Sequence, residues 1–189
     1  AGGMTGFVVV AAEHCEAEHI AFMARQARGL VCLAMTPQRC EELELPLMVE
    51  GDDSLSPFTL SIEAATGIDT GISAADRART VRVAVDAASQ ASDLVQPGHI
   101  FPIAAAAGGV LTRTAPAEAA MDLATLAGLL PAAVFAEVLD NNGAVADADY
   151  LLGFANQHQL VVGQVSDLVT YLLANQKTIS AVREGTLQT

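Results

Sequence analysis

Positive charge is scarce in this sequence. Nine Lys and Arg residues stand against 22 Asp and Glu residues, which gives a formal net charge of −13 at pH 7. Lys177 is the single lysine. Because a chain this acidic repels phosphate backbones and anionic lipid headgroups, we expect neither nucleic acid nor a membrane surface as its partner. The arginines are expected to serve local contacts.

Long apolar runs are missing as well. The stretches "FVVVAA" (7–12) and "IFPIAAAAGGVL" (100–111) are short or broken by Pro and Gly, whereas a membrane span needs roughly 18 apolar residues. No basic segment followed by an apolar stretch opens the sequence, so no export signal is expected. The three cysteines are an odd number without framework spacing, which indicates free thiols and a cytoplasmic protein.

Apolar residues are abundant. They make up 52% of the 189 residues, and only 16% are charged. A chain of this length and composition buries a substantial core. We expect one domain over residues 1–175, with 176–189 as a tail or the start of a linker.

Strand-like and helix-like patterns alternate along the chain. Strands are predicted in "FVVVAA", "LVCLAM", "FTLSIEAA", "HIFPIAA", "AVFAEVLDNNGAV" and "LVVGQV", and helices in "HIAFMARQA", "GISAADRARTVRVAVDAA", residues 117–127, "YLLGFANQHQ" and "SDLVTYLLANQ". In "FTLSIEAA" the period of two places Phe58, Leu60 and Ile62 on the buried face. This alternation predicts an α/β (α+β) fold with a mixed β-sheet layered between helices.

The stretch "GISAADRARTVRVAVDAA" (71–88) predicts a capped helix. Ser73 at the cap and Asp76 three residues later form a capping-box pattern. Arg77 and Arg79 then lie in the first turns, near free N–H groups, where an anion such as phosphate would be favoured. The alternative is an internal ion pair between Asp76 and one of the arginines.

The stretch "EHCEAEH" (13–19) contains a further candidate. Cys15 and His19 are four residues apart and could share a metal with nearby glutamates. The spacing matches no closed set of four zinc ligands, so the alternative is an acidic, solvated first turn of a helix.

Four more polar residues interrupt apolar surroundings. His99 follows a Pro-Gly pair at the predicted start of a strand, where it could reach a site or serve as a structural hydrogen-bonding group. Glu118 and Asp122 lie four apart on one predicted helix face. Glu137 sits inside an apolar strand, where a carboxylate must face solvent, a partner or a pocket. Together these residues suggest a site for a small anionic molecule.

Three longer stretches carry a specific resemblance. "TGISAADRARTVR" (70–82), "QPGHIFPIAAAAGGVLTR" (96–113) and "EAAMDLATLAGLLPAAVFAEVLDNNGAVA" (118–146) resemble 3,4-dihydroxy-2-butanone 4-phosphate synthase, a lyase of riboflavin biosynthesis. "MARQARGLVCLAMT" and "LELPLMVE" follow the same family in the same order. The resemblance spans about residues 8–173.

This resemblance implies a fold, a reaction and a set of roles. The family has an α/β domain that forms homodimers, and it converts ribulose 5-phosphate to dihydroxybutanone phosphate and formate with Mg²⁺, which stabilises enediol-like intermediates. The positions that match the family's catalytic residues are His99, Glu137 and Cys32. Those that match its substrate-binding residues are Arg113, Thr70 and Glu118.

The chain also departs from the family pattern. Where the family has R-x-G-H-T-E, this chain has "RTAPAE", so Pro116 replaces the metal-binding histidine and Ala117 a substrate-binding threonine. The acidic loop D-R-E-N-E-G-D is replaced by "AGGMTG" and Phe7. No metal ligand is therefore predicted in this chain, although the family uses Mg²⁺.

Three hypotheses follow from this combination. The first is a divergent family member with impaired or altered activity on a small phosphorylated sugar. The second is an inactive dimerisation or regulatory domain beside a fused or partner GTP cyclohydrolase II. The third is an enzyme that performs different acid/base chemistry on a small phosphorylated or keto substrate.

Overall fold

A computed structural model describes residues 5–49 and 57–175. The predicted tail, 176–189, lies outside the described residues. Within them, no helix is long and apolar enough to cross a bilayer.

A five-stranded sheet forms the centre of the domain, in the order β1-β5-β2-β4-β3. Its strands are β1 (Phe7–Ala11), β2 (Cys32–Met35), β3 (Ile62–Ala64), β4 (Leu94–Ala104) and β5 (Ala133–Glu137). β2 and β4 run parallel, and the other neighbouring strands are antiparallel. The predicted mixed sheet is therefore confirmed.

Helices cover both faces of this sheet. They are α1 (Ala17–Phe22), α2 (Pro37–Glu42), α3 (Ala74–Val85), α4 (Pro116–Leu126), α5 (Ala148–His158) and α6 (Val165–Asn175). α1, α2, α3 and α5 contribute to one core cluster, which contains Ile20, Val81 and Phe154. α4 packs on β1, β5 and β2 across the opposite face, and α6 reaches the α4 side through Leu172. The predicted layering of helices on a sheet is confirmed.

The predicted start of α3 is half right. Ser73 is the cap, and its hydroxyl accepts the N–H of Asp76 at 3.0 Å. The Asp76 carboxylate does not return to Ser73, because it accepts the N–H groups of Gly71 at 3.1 Å and Asp69 at 3.4 Å. Asp76 thus fixes the preceding loop as well as the first turn of the helix.

Two strand predictions are wrong in part. Residues 160–164 are neither strand nor helix, and Val161 is fully exposed, because none of the five described strands pairs with this connection between α5 and α6. In "FTLSIEAA" the buried face is the opposite one for part of the stretch: Thr59 is buried and Leu60 is exposed. Thr59 tolerates burial because its hydroxyl donates to the Leu60 carbonyl at 3.1 Å and its N–H to the Pro102 carbonyl at 3.0 Å.

Candidate functional site

Three of the predicted catalytic residues lie on adjacent strands at one end of the sheet. Cys32 on β2 is paired with Phe101 of β4 and with Phe135 of β5. His99 lies two residues before Phe101 on β4, and Glu137 lies two residues after Phe135 on β5. Because β4 runs parallel to β2 and β5 runs antiparallel to it, both residues lie toward the same end of the sheet. Their strands are separated by β2 alone, so the two main chains are about 10 Å apart.

Cys32 and Glu137 share a face. Cys32 and Phe135 belong to the cluster on the α4 side of the sheet, and the strand period of two places residue 137 on that side. His99 is level with Glu137 along the sheet, so the fold brings the predicted proton-transfer residues to the surface at one end of the sheet.

His99 lies inside β4, and not at the start of a strand as predicted. Ile62 of β3 pairs with Ile100 of β4, and the next residue, Glu63, pairs with Val95. The four residues 96–99 of β4 therefore bulge out between these two pairs, with no residue of β3 opposite them. Such a bulge bends the strand and redirects side chains. The His99 ring here meets the carboxylate of Glu63, with Nδ1 against Oε1.

Glu63 is the residue that the sequence analysis missed. It alternates with Ile62 in "FTLSIEAA", which predicts the polar face of a strand, and its pairing with His99 depends on how β3 is placed beside β4. The one available signal was a carboxylate within a strand, which must face solvent, a partner or a pocket. The same reasoning applied to Glu137 would have selected Glu63 as well.

Cys32 is a buried thiol at the floor of this surface. Burial raises the pKa of Cys32 to about 12, and its Sγ–H points to the Leu30 carbonyl at 3.7 Å. The group is therefore a neutral thiol near pH 7, and a nucleophilic role would need the thiolate. Its predicted catalytic role stays a prediction.

Glu137 ends β5 in a partly buried position. Its carbonyl accepts the N–H of Gly29 at 3.1 Å. A Cβ on Gly29 would lie 2.2 Å from that carbonyl oxygen, so only glycine permits the approach. Among the residues that the structure describes, the Glu137 carboxylate has no hydrogen bond or ion pair, so it is not committed to an arginine.

Arg113 and Glu118 form a second polar group at the opposite end of β4. The Arg113 guanidinium pairs with Glu118 Oε1 and donates to the Ala104 carbonyl at 3.2 Å. Glu118 is fully buried and also accepts the N–H of Ala106 at 2.7 Å. Ala104 is five residues from His99 along β4, so the main chain that Arg113 contacts lies about 16 Å from that of His99 within one chain.

The same region offers few ligands for Mg²⁺. Mg²⁺ requires octahedral coordination by oxygens, usually with several waters. One Glu118 oxygen, Oε2, is buried without a hydrogen-bond partner, but a fully buried carboxylate leaves no room for those waters. Pro116 and Ala117 offer no side-chain donor, and Asp122 accepts the N–H of Val110 at 2.8 Å.

The remaining described residues supply no alternative ligand set. Within residues 5–49 and 57–175, no three His, Cys, Asp or Glu side chains lie together as a metal site would require. The described residues therefore do not fit the family's metal.

Thr70 precedes Gly71, which lies against the Glu63 carboxylate. Thr70 is exposed in the loop before α3. Arg79 Nε donates to the Thr66 carbonyl at 2.7 Å, and Arg77 Nε is buried without a hydrogen-bond partner. Burial lowers the pKa of Arg77. The predicted ion pair of Asp76 with an arginine is not found among the described residues, and the predicted anion site stays a prediction.

The "EHCEAEH" stretch forms a helix start. Cys15 precedes α1 and is fully buried, so it is not on the helix as predicted. The imidazole Nδ1 of His19 accepts the N–H of Glu16 at 3.0 Å, and the Glu16 carboxylate reaches back to the His19 N–H. These contacts agree with the acidic first turn, and they point His19 away from a role shared with Cys15.

Comparisons with known proteins agree with this architecture. The family model for 3,4-dihydroxy-2-butanone 4-phosphate synthase matches residues 3–171. The proteins of that name from Pseudomonas syringae pv. tomato and Pseudomonas aeruginosa are 48% and 47% identical over 97% and 96% of this chain. The chain spans 50% of each of these relatives, or about half their length. The relative from Salmonella arizonae is 45% identical over 93% of this chain and 82% of its own length.

Solved structures give the same result. The chain superimposes with a TM-score of 0.91 and 45% identity on RibBX, a two-domain 3,4-dihydroxy-2-butanone 4-phosphate synthase from A. baumannii, over 98% of this chain and 55% of that one. A 3,4-dihydroxy-2-butanone 4-phosphate synthase in complex with two magnesium ions gives a TM-score of 0.84 at 33% identity, over 89% and 85% of the two chains. The chain belongs to the 3,4-dihydroxy-2-butanone 4-phosphate synthase family.

Proposed function

We propose that this chain is a divergent 3,4-dihydroxy-2-butanone 4-phosphate synthase domain in which the family reaction, from ribulose 5-phosphate to dihydroxybutanone phosphate and formate, is strongly reduced. The observation that supports this proposal is that the start of α4 offers no exposed metal-binding side chain. Pro116 and Ala117 lack donors, and the neighbouring carboxylate of Glu118 is fully buried against Arg113. A metal ion that polarises substrate oxygens therefore has no set of ligands among the described residues.

The surface around His99 supports a second candidate, acid/base chemistry on a small phosphorylated or keto compound. His99 is partly exposed and Glu137 is not tied to an arginine among the described residues. Both groups can therefore take or give protons at a molecule bound between them. Had Glu137 been paired with a buried arginine, the inactive scaffold would have been favoured instead.

Partner domains and assembly are also part of this proposal. The curated relatives are about twice as long as this chain, and RibBX has two domains. We infer that this domain acts within a homodimer and beside a second domain. A GTP cyclohydrolase II at that position remains a prediction from the family resemblance.

Formate release from ribulose 5-phosphate, with and without Mg²⁺, tests the proposal. The relative from Pseudomonas aeruginosa, assayed at the same concentration, is the positive control. We expect this chain to release formate at least about 100-fold more slowly, since the electrophilic contribution of the metal is missing. Formate release at the control's rate, dependent on Mg²⁺, would contradict the proposed loss.

If residual formate release is measured, two substitutions test whether it depends on His99 and Glu137. His99→Ala and Glu137→Gln should each lower a rate that depends on these proton-transfer groups by about 100-fold without unfolding the protein. Full activity in both variants, with unchanged circular dichroism, would remove them from the reaction.

A further inference from the structure

We propose that Glu63 is a positioning residue for His99. Its carboxylate accepts the Nδ1–H of the imidazole and leaves Nε2 as the basic nitrogen that faces a bound molecule. The hydrogen bond itself is independent of which reaction the domain performs. Its effect on catalysis rests on the function proposed above.

The contact has a defined direction. The Glu63 side chain is 15% exposed and the His99 side chain is 42% exposed, with Nδ1 against Oε1. The carboxylate is thus the inner partner and the imidazole is the outer one. The ring edge opposite Nδ1, which carries Nε2, is the part of the pair available to a ligand.

Two glycines make room for this carboxylate. Gly71 has a φ of +79°, and a Cβ there would lie 2.1 Å from Glu63 Oε1. Gly98, next to His99, approaches the main chain of Ile62 so closely that a Cβ would lie 2.1 Å from its carbonyl carbon and 2.3 Å from Glu63 Cγ. A side chain at either position would displace the carboxylate or separate β3 from β4.

The surrounding main chain is held in place as well. Ser61 Oγ accepts the N–H of Gly98 at 3.1 Å, which ties the bulge on β4 to the strand before Glu63. Asp76 accepts the N–H of Gly71 at 3.1 Å, which fixes the loop on the other side of the carboxylate. Glu63 is therefore placed by contacts on both sides, as a group that orients an imidazole has to be.

The chemistry of the pair assigns the tautomer. An ionised carboxylate has acceptors and no donors, so the proton between the two groups belongs to His99 Nδ1. When Nε2 removes a proton from a C–H or O–H group of a substrate, the electron pair stays on the substrate as an enediolate or alkoxide. The ring becomes an imidazolium with both nitrogens protonated, and Glu63 stabilises its positive charge.

Long-range ¹H–¹⁵N NMR of the histidine rings tests the proposal without substrate. Spectra are recorded at about pH 8.5, where an ordinary imidazole is neutral, and the His99 signals are assigned by their loss in His99→Gln. We expect the wild-type ring to carry its proton on Nδ1. In Glu63→Ala the Nε2–H form should predominate, as it does for free imidazole side chains in water.

Two variants make the test specific. Glu63→Gln retains an acceptor oxygen and should retain the Nδ1–H form, whereas Glu18→Ala, an exposed carboxylate on α1, should leave His99 unchanged. A predominant Nε2–H form in the wild type would overturn the proposal, and this measurement needs no variant to fold. An unchanged tautomer in folded Glu63→Ala would overturn it too.

Kinetics separate this proposal from the proposed function. If formate or another product is formed, Glu63→Ala should lower kcat by about 10-fold or more with little change in KM, and Glu63→Gln should recover part of that loss. An equal loss in both variants, with KM raised, would indicate a structural role and overturn positioning. Absence of formate in the wild type bears on the function alone, because the tautomer is measured without turnover.

Discussion

The guanidinium of Arg113 is paired with the carboxylate of Glu118, and this pair closes the start of α4. The two partners differ in burial, since the Arg113 side chain is 33% exposed and Glu118 is fully buried. Water can therefore solvate one partner when the pair is broken, but not the other. The family resemblance places a substrate-binding arginine at this position, and in this chain one of its terminal nitrogens is bound inside the fold, to Glu118 and to the Ala104 carbonyl.

This asymmetry predicts unequal costs of breaking the pair. Arg113→Met leaves an unpaired buried carboxylate and should lower the free energy of unfolding by about 3–5 kcal/mol. Glu118→Gln leaves a partly solvated guanidinium and an amide oxygen for the Ala106 N–H, so about 1–2 kcal/mol is expected. Urea unfolding measures both values. Equal losses, or a larger loss in Glu118→Gln, would contradict the burial difference.

The thermal response to Mg²⁺ provides a test of the missing ligand set. A site with a Kd of about 0.1 mM would add about 2.7 kcal/mol at about 10 mM free ion, which raises the Tm of a domain of this size by several degrees. We expect the Tm in MgCl2 to equal that in NaCl of the same ionic strength. The family member crystallised with two magnesium ions serves as the control. A Tm rise specific to Mg²⁺ in this chain, as in the control, would reveal ligands outside those identified above.

All three cysteines should resist alkylation in the native state. Burial raises the pKa of Cys15 and Cys32 to about 12 and that of Cys40 to about 11, and all three thiols are free. At about pH 8, a thiol of pKa about 12 has roughly 1,000-fold less thiolate than an ordinary one.

Iodoacetamide labelling followed by mass spectrometry measures this resistance. The three thiols should react in urea and not in buffer over the same time, whereas an introduced surface thiol, Ser92→Cys, should react in both. Fast native labelling of Cys32 would show a reactive thiolate and would favour its predicted catalytic role.

Alanine substitutions at Gly71 and Gly128 form a matched test of the space around the Glu63 carboxylate. Both have positive φ, +79° and +76°, but a Cβ would touch Glu63 at Gly71 and nothing within 4 Å at Gly128. Gly128→Ala should cost about 1–2 kcal/mol from backbone conformation alone. Gly71→Ala should cost about 1 kcal/mol more, because the carboxylate has to leave His99.

Chemical denaturation gives the two stabilities, and the ¹⁵N shifts of His99 show whether its ring has lost its partner. Equal costs, with the His99 signals unchanged in Gly71→Ala, would mean that the carboxylate can move without losing the imidazole.

The attachment of α6 depends on one of two adjacent leucines. Leu172 is 2% exposed and packs with Val110 and Ala119, whereas Leu173 is 57% exposed. Leu172→Ala should therefore lower the free energy of unfolding by about 2–4 kcal/mol, and Leu173→Ala by less than about 0.5 kcal/mol. Urea unfolding of the two variants, analysed with a common m-value, gives the comparison. A large loss in Leu173→Ala would show that its exposed side chain has a partner in solution.

Much of the fold could be predicted from local patterns. The strands at 7–11, 32–35 and 133–137 and the helices α3 and α4 follow from hydrophobic periodicity, the Ser73 cap and the proline at the start of α4, all of which act over a few residues. The stretch 160–165 was predicted wrongly because β-branched composition does not guarantee a neighbouring strand. The buried and exposed positions of Thr59 and Leu60 were predicted the wrong way round, because the packing of this segment beside β4 decides which face is buried.

The sequence by itself determined the family, because residue identities match it along most of the chain, and the same matching predicts the losses at the start of α4 and in "AGGMTG". The tertiary structure decided which groups meet. It placed His99, Cys32 and Glu137 at one end of the sheet, paired Glu63 with His99 across a bulge, and buried Glu118 against Arg113. These contacts join segments distant along the chain, and strand order, register and burial fix them, none of which a local pattern encodes.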